Sequence, residues 1–122
     1  MTDNERVVSE FIQAWSRLDP EELAEYFTED AVYHNMPADP VEGRDTIREF
    51  IAGFSADWTE TDWEIRHLVS EGDVVIAERV DRIRTEDGSV DLPVVGVFEL
   101  DDGEIARWRD YFDMTTYADE LG

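Results

Sequence analysis

Near the middle of the chain the spacing of apolar residues changes, and this change limits the fold more than any other feature. Before Trp58 apolar residues recur at helical spacing, and after it they alternate. Val7, Val8, Phe11, Ile12, Trp15 and Leu18 predict a helix over about residues 3–17. Asp19-Pro20-Glu21-Glu22 then reads as a fresh helix start, with a cap, a proline at the first helical position and an acid three residues after the cap. Leu23, Ala24 and Phe27 supply its inner face. A short strand is expected at 31–35, and Gly43-Arg44-Asp45 opens a third helix carrying Ile47, Phe50, Ile51 and Phe54. Trp15, Phe27 and Phe54 read as core. Beyond Trp58, strands are predicted near 61–70, 73–84, 90–100 and 104–114. The turns between them are short and carry glycine: Glu71-Gly72-Asp73, Glu86-Asp87-Gly88-Ser89 and Asp101-Asp102-Gly103. Helices first and then a meander predict an α+β fold, with helices on one face of an antiparallel sheet and a pocket between the layers. At 122 residues the chain has one domain's worth of sequence, large enough to bury a core, and a single domain over 1–122 is expected.

Strand side chains alternate between faces, so residues i and i+2 point together. On 73–84 one face reads Val75, Ala77, Arg79, Asp81, Ile83, an apolar row interrupted by a charged pair. On 104–114 one face reads Ala106, Trp108, Asp110, Phe112, Met114, with a single carboxylate among large apolar groups. On 31–35, Ala31, Tyr33 and Asn35 share a face and bring a phenol beside an amide. Burying an ion costs several kcal/mol unless it is paired. Two inward carboxylates and one inward arginine can pair with one another. Spacing alone leaves two readings open: a site built from a base, an acid and an arginine holding both, or a structural ion pair inside the core. His34 and His67 read as surface or structural residues, since nothing local pairs them with a nucleophile.

The charge balance excludes other classes. Ten basic residues, all Arg, stand against 32 acidic ones, for a net charge of −22. Such a surface repels nucleic acids and anionic membranes. With no cysteine there is no disulfide or thiolate nucleophile, and two histidines are too few for an imidazole-rich metal site. No apolar run approaches a membrane span, and Thr2-Asp3-Asn4-Glu5 is no signal peptide, so a cytoplasmic domain is expected.

Four short motifs carry a resemblance. Tyr33-His34-Asn35-Met36-Pro37, Glu78-Arg79-Val80-Asp81, Gly96-Val97-Phe98 and Trp108-Arg109-Asp110-Tyr111-Phe112-Asp113 occur in that order. Together they resemble the limonene-1,2-epoxide hydrolase family, over nearly the whole chain from Val7 onward. The resemblance implies a cone-shaped α+β fold, shared with nuclear transport factor 2, ketosteroid isomerase and polyketide cyclases, with a strongly curved mixed, mainly antiparallel sheet enclosing a pocket. It implies hydrolysis of a hydrophobic epoxide to a vicinal diol with no metal and no organic cofactor. Asp110 then matches the base that takes a proton from the attacking water, and Tyr33 and Asn35 match the side chains that hold that water. Asp81 matches the acid that protonates the epoxide oxygen, and Arg79 the bridge between the carboxylates. Met36, Ile83, Leu92, Val94, Trp108 and Phe112 are expected to form an apolar wall around the substrate.

These residue types suit that chemistry. Protonating the epoxide oxygen while water attacks carbon avoids both a free alkoxide and a free hydroxide. One carboxyl must then be protonated while the other is ionised, as two acids in different environments can be. Two further readings share the fold: a pocket protein that binds a hydrophobic ligand without catalysis, and an isomerase or cyclase using Asp110 as a carbon-proton base. The resemblance also implies a homodimer, with Val95 and Val97 on the outer face of the sheet as candidate contacts.

Overall fold

The computed structural model describes residues 1–121. Helix α1 (Asp3–Ala14) starts in a reciprocal cap. The Thr2 hydroxyl accepts from the Glu5 amide at 3.1 Å, and the Glu5 carboxylate accepts from the Thr2 amide at 3.1 Å. A single 3₁₀ turn (Trp15–Arg17) ends at Leu18, whose left-handed backbone (φ 49°) reverses the chain. Asp19 caps the short α2 (Pro20–Ala24). Strand β1 (Phe27–Asn35) follows, then β2 (Val41–Glu42) and α3 (Arg44–Phe54). The second half is β3 (Glu60–Glu71), β4 (Val74–Arg84), β5 (Ser89–Asp101) and β6 (Glu104–Tyr111), closed by α4 (Met114–Leu121).

The expected architecture is present: an α+β fold with its N-terminal helices packed on a six-stranded sheet of order β2-β1-β6-β5-β4-β3. Neighbours are antiparallel except β1 and β6, which run parallel. That pairing sets Tyr33 against Trp108 and Asn35 against Asp110. At the β5–β6 turn, Asp102 (φ 52°) and Gly103 (φ 84°) both take positive φ, which matches the twist of a tight hairpin. Extra residues, Arg66 in β3 and Ala106 in β6, bulge their strands and bend the sheet.

The helices cover the inner face through an aromatic cluster. Phe11 meets Trp108 edge to face at 5.0 Å, and Trp15 stacks on Trp63 at 4.2 Å. Trp15 and Phe27 are fully buried, as expected of core, whereas Phe54 is half-buried.

The structure departs from the sequence reading in four places. The first strand begins at Phe27 rather than 31, and the two-residue β2 was unexpected. The last strand stops at Tyr111, not 114. Asp113 then caps α4, accepting from the Thr115 amide at 3.1 Å and the Thr116 hydroxyl at 2.9 Å. Met114 therefore belongs to a helix. Ala106 is not on the inner face: the bulge inserts it as an unpaired residue, so Ile105, Trp108 and Asp110 point inward instead.

Candidate active site

Arg79 and Asp81 are two residues apart on β4, so both face the helices. Asp110 does the same from β6. All three are buried, with exposures of 1%, 3% and 3%. β4 and β6 are separated by β5, which puts their backbones about 10 Å apart. The Arg79 side chain spans that distance. Its Nε and Nη2 donate to Asp81 Oδ1 and Oδ2 at 2.8 and 3.1 Å. Its Nη1 donates to Asp110 Oδ1 at 3.1 Å, and Nη2 donates also to Asp110 Oδ2. One planar fork thus holds two carboxylates, a geometry that lysine cannot copy. The guanidinium also lies 4.4 Å from the centre of the Trp63 ring, a cation–π contact.

The arm can cross β5 only because residue 96 has no side chain. Gly96 pairs with Ala77 on one side and Asp110 on the other. A Cβ there would lie 2.6 Å from Arg79 Nη1 and 2.8 Å from Asp110 Oδ1, well inside contact distance. Its backbone conformation is ordinary, so close approach alone demands glycine.

Burial pushes the Asp81 carboxyl up to about 7, against the opposing pull of Arg79. Asp81 thus holds its proton near neutral pH, and it can donate. Burial also opposes the charge on Arg79, but the two carboxylates outweigh it and hold the guanidinium above its ordinary value. Tyr33 is pushed well above the usual phenol range by burial and by the Asp110 carboxylate, so it remains a neutral donor.

Tyr33, Asn35, Asp81 and Asp110 share one cavity with Ile83, Leu92, Val94 and Phe112. Of the residues expected at the site, nine therefore come together: these eight and Arg79, which is bonded to both acids. Two are placed elsewhere. Met36 is 37% exposed and outside the cavity, in the turn that follows β1. Trp108 is no wall residue either. It lies fully buried behind the site, stacked 4.1 Å from Tyr33. His34 and His67 are away from the cavity, bonded to the Ala38 carbonyl (2.9 Å) and Glu78 (2.6 Å).

Four aromatic residues complete the lining and were not foreseen: Phe54, Trp58, Trp63 and Tyr117. Trp63 could have been found from its phase with Thr61 on β3. Tyr117 lies on the unexpected α4, and its hydroxyl accepts from Trp58 Nε1 at 3.2 Å. The free volume enclosed is only about 20 Å³. That holds about one water molecule.

Helices over a bent mixed sheet, with two carboxylates and an arginine sealed between them, define a small α+β pocket protein of the nuclear transport factor 2-like type. Residues 8–108 match the SnoaL-like domain, and the chain belongs to that family. Its curated relatives include epoxide hydrolase EphG of Mycobacterium tuberculosis, 43% identical over 51 residues. That match covers 42% of this chain and spans about a third (34%) of the relative's length. Among solved structures, an M. tuberculosis LEH-like epoxide hydrolase superposes with a TM-score of 0.84 at 28% identity, over 98% of this chain and 89% of that one. The epoxide hydrolase/cyclase-like enzyme SalBIII gives 0.81 at 25% identity, over 93% and 92%. A protein of ketosteroid isomerase-like fold from Catenulispora acidiphila gives 0.86 at 21%, over 95% and 93%, and shares the fold alone.

Gly96→Ala tests the crossing. The added methyl displaces Arg79 from Asp110, and breaking a buried pair costs about 3–5 kcal/mol. The expected outcome is a large loss of stability in urea unfolding. Wild-type stability would show that the arm has another route.

Proposed function

We propose that the protein hydrolyses a hydrophobic epoxide, of the limonene-1,2-epoxide type, to a vicinal diol in one step. The observation that carries this reading is the pair of carboxylates on one guanidinium, with Asp81 held protonated near neutral pH by burial. Asp110 takes a proton from a water held by Tyr33 and Asn35. That water's oxygen attacks an epoxide carbon, the C–O bond breaks, and Asp81 gives its proton to the leaving oxygen. The two acids then exchange a proton through solvent or product, and the site is reset. The similarity in sequence and in structure to epoxide hydrolase of M. tuberculosis supports the reading.

A second reading has one observation in its favour. SalBIII is described as acting in pyran ring formation in the polyether salinomycin. A hydroxyl within the substrate could replace water as the nucleophile on the same acid–base pair, giving a cyclic ether.

One turnover in ¹⁸O-labelled water, with enzyme in excess, tests the step. Labelled diol and unlabelled protein are expected. A label that appears in Asp110 instead would mean a covalent ester, and an unlabelled cyclic ether would favour the second reading. Asp110→Asn and Asp81→Asn should each lower kcat by at least roughly 100-fold with folding retained.

Activity should also respond to pH on the alkaline side. Because Asp81 acts in its protonated form, kcat/KM should fall as pH rises through about 7. In Asp81→Asn the remaining activity should lose that limb. An alkaline limb that survives the substitution would assign the acid to another group.

We further propose that the outer face of the sheet pairs two copies of this chain. Val69, Val74, Ile76, Val95 and Tyr111 are exposed there, while Val97 is half-buried. Sedimentation at micromolar protein and moderate salt should give a dimer, and a monomer would refute the pairing.

A further inference from the structure

The mechanism uses Asp110 as a base but leaves open which of its oxygens takes the proton. A carboxylate offers about four lone-pair positions, two on each oxygen. On Asp110, Oδ1 accepts from Arg79 Nη1 at 3.1 Å and from the Trp108 indole N–H at 2.6 Å. Both of its positions are filled, and it is the oxygen turned toward Gly96. Among the described residues, Oδ2 accepts from Arg79 Nη2 alone. We propose that Trp108 is a positioning residue for the base: its N–H occupies Oδ1, so the remaining open lone pair, on Oδ2, receives the proton of water.

The indole is fixed for this task on every side. Its ring stacks on Tyr33 (4.1 Å, 6° between planes) and on Phe98 (5.4 Å, 15°), and Phe11 meets it edge-on at 5.0 Å. The direction of the N–H is therefore set by packing, and the carboxylate must orient to it. Trp108 and Asp110 are two residues apart on β6, so they share a face by strand phase alone. Other charged or titratable groups around Asp110 are Tyr33 on β1 and Arg79 and Asp81 on β4. Trp108→Phe changes none of them. It keeps an aromatic ring for the stack and deletes the donor.

This inference rests on the hydrolase reading, and the test separates the two. In Trp108→Phe, kcat should fall about 10- to 100-fold, the worth of a hydrogen bond to a charged group, with KM within roughly twofold. A donor to the ionised form disfavours protonation, so its loss should move the acid limb of the rate profile up by about one pH unit. Ile12→Ala, a core change on α1 outside the site, should lower stability without moving that limb. A Trp108→Phe enzyme with an unmoved limb would overturn the proposal, as would an Ile12→Ala enzyme whose limb moves equally.

If Trp108→Phe does not fold, the wild-type protein gives the answer by NMR of ¹⁵N-labelled indoles. One of the four tryptophan N–H signals should shift along the acid limb and be displaced in Asp110→Asn. No indole signal following that limb would refute the bond's role. Should the wild type form no diol from any epoxide tested, the hydrolase reading fails, while the indole titration still decides whether Trp108 reports the charge on Asp110.

Discussion

The double clasp of Arg79 on Asp81 and Asp110 is the constraint from which most of this structure follows. Three ionisable groups with almost no exposure can share an apolar layer only if their charges nearly cancel. With Asp81 protonated they do: one guanidinium faces one carboxylate. With both acids ionised the cluster carries an excess negative charge, which is why burial favours the proton on Asp81. The clasp also dictates its surroundings. It requires a strand residue without a side chain at Gly96 and a polarisable ring beneath the guanidinium at Trp63.

Much of the site could be read from the sequence because strand phase is a simple rule. Arg79 and Asp81 interrupt an apolar row with strict alternation, and β4 keeps that alternation from end to end. Tyr33 and Asn35 follow the same rule on β1. The rule failed where the backbone adds a residue. Ala106 is such an insertion, and no composition signal marks it, because a bulge is defined by the partner strand rather than by its own residues. Met36 was placed in the wall by its position in the motif Tyr-His-Asn-Met-Pro, but it lies in the turn that follows β1 and is exposed. Helix α4 was hidden by the alternation of Phe112 and Met114 with polar neighbours, although Asp113-Met114-Thr115-Thr116 contains a cap. Gly96 appeared in the quoted motifs but its purpose did not, since that depends on an arginine two strands' width from its target.

The scaffold does not by itself decide the chemistry. A ketosteroid isomerase-like neighbour at 21% identity superposes as well as the epoxide hydrolase does at 28%. What separates such proteins is the handful of polar side chains on the inner face and the aromatic groups that close over them. Here those groups leave room for little more than a water molecule.

The parallel pairing of β1 with β6 bears on how the protein folds. The strands β3, β4 and β5 form a meander of adjacent hairpins, and β6 joins it through a tight turn. Those contacts are close in sequence and close cheaply. By contrast, β1 must bridge most of the chain's length before Asn35 can lie beside Asp110. Such long-range contacts carry the greatest loop-closure entropy and form slowly. The arginine and its two acids can therefore assemble within one local unit, whereas the phenol and amide arrive through the most distant pairing in the fold.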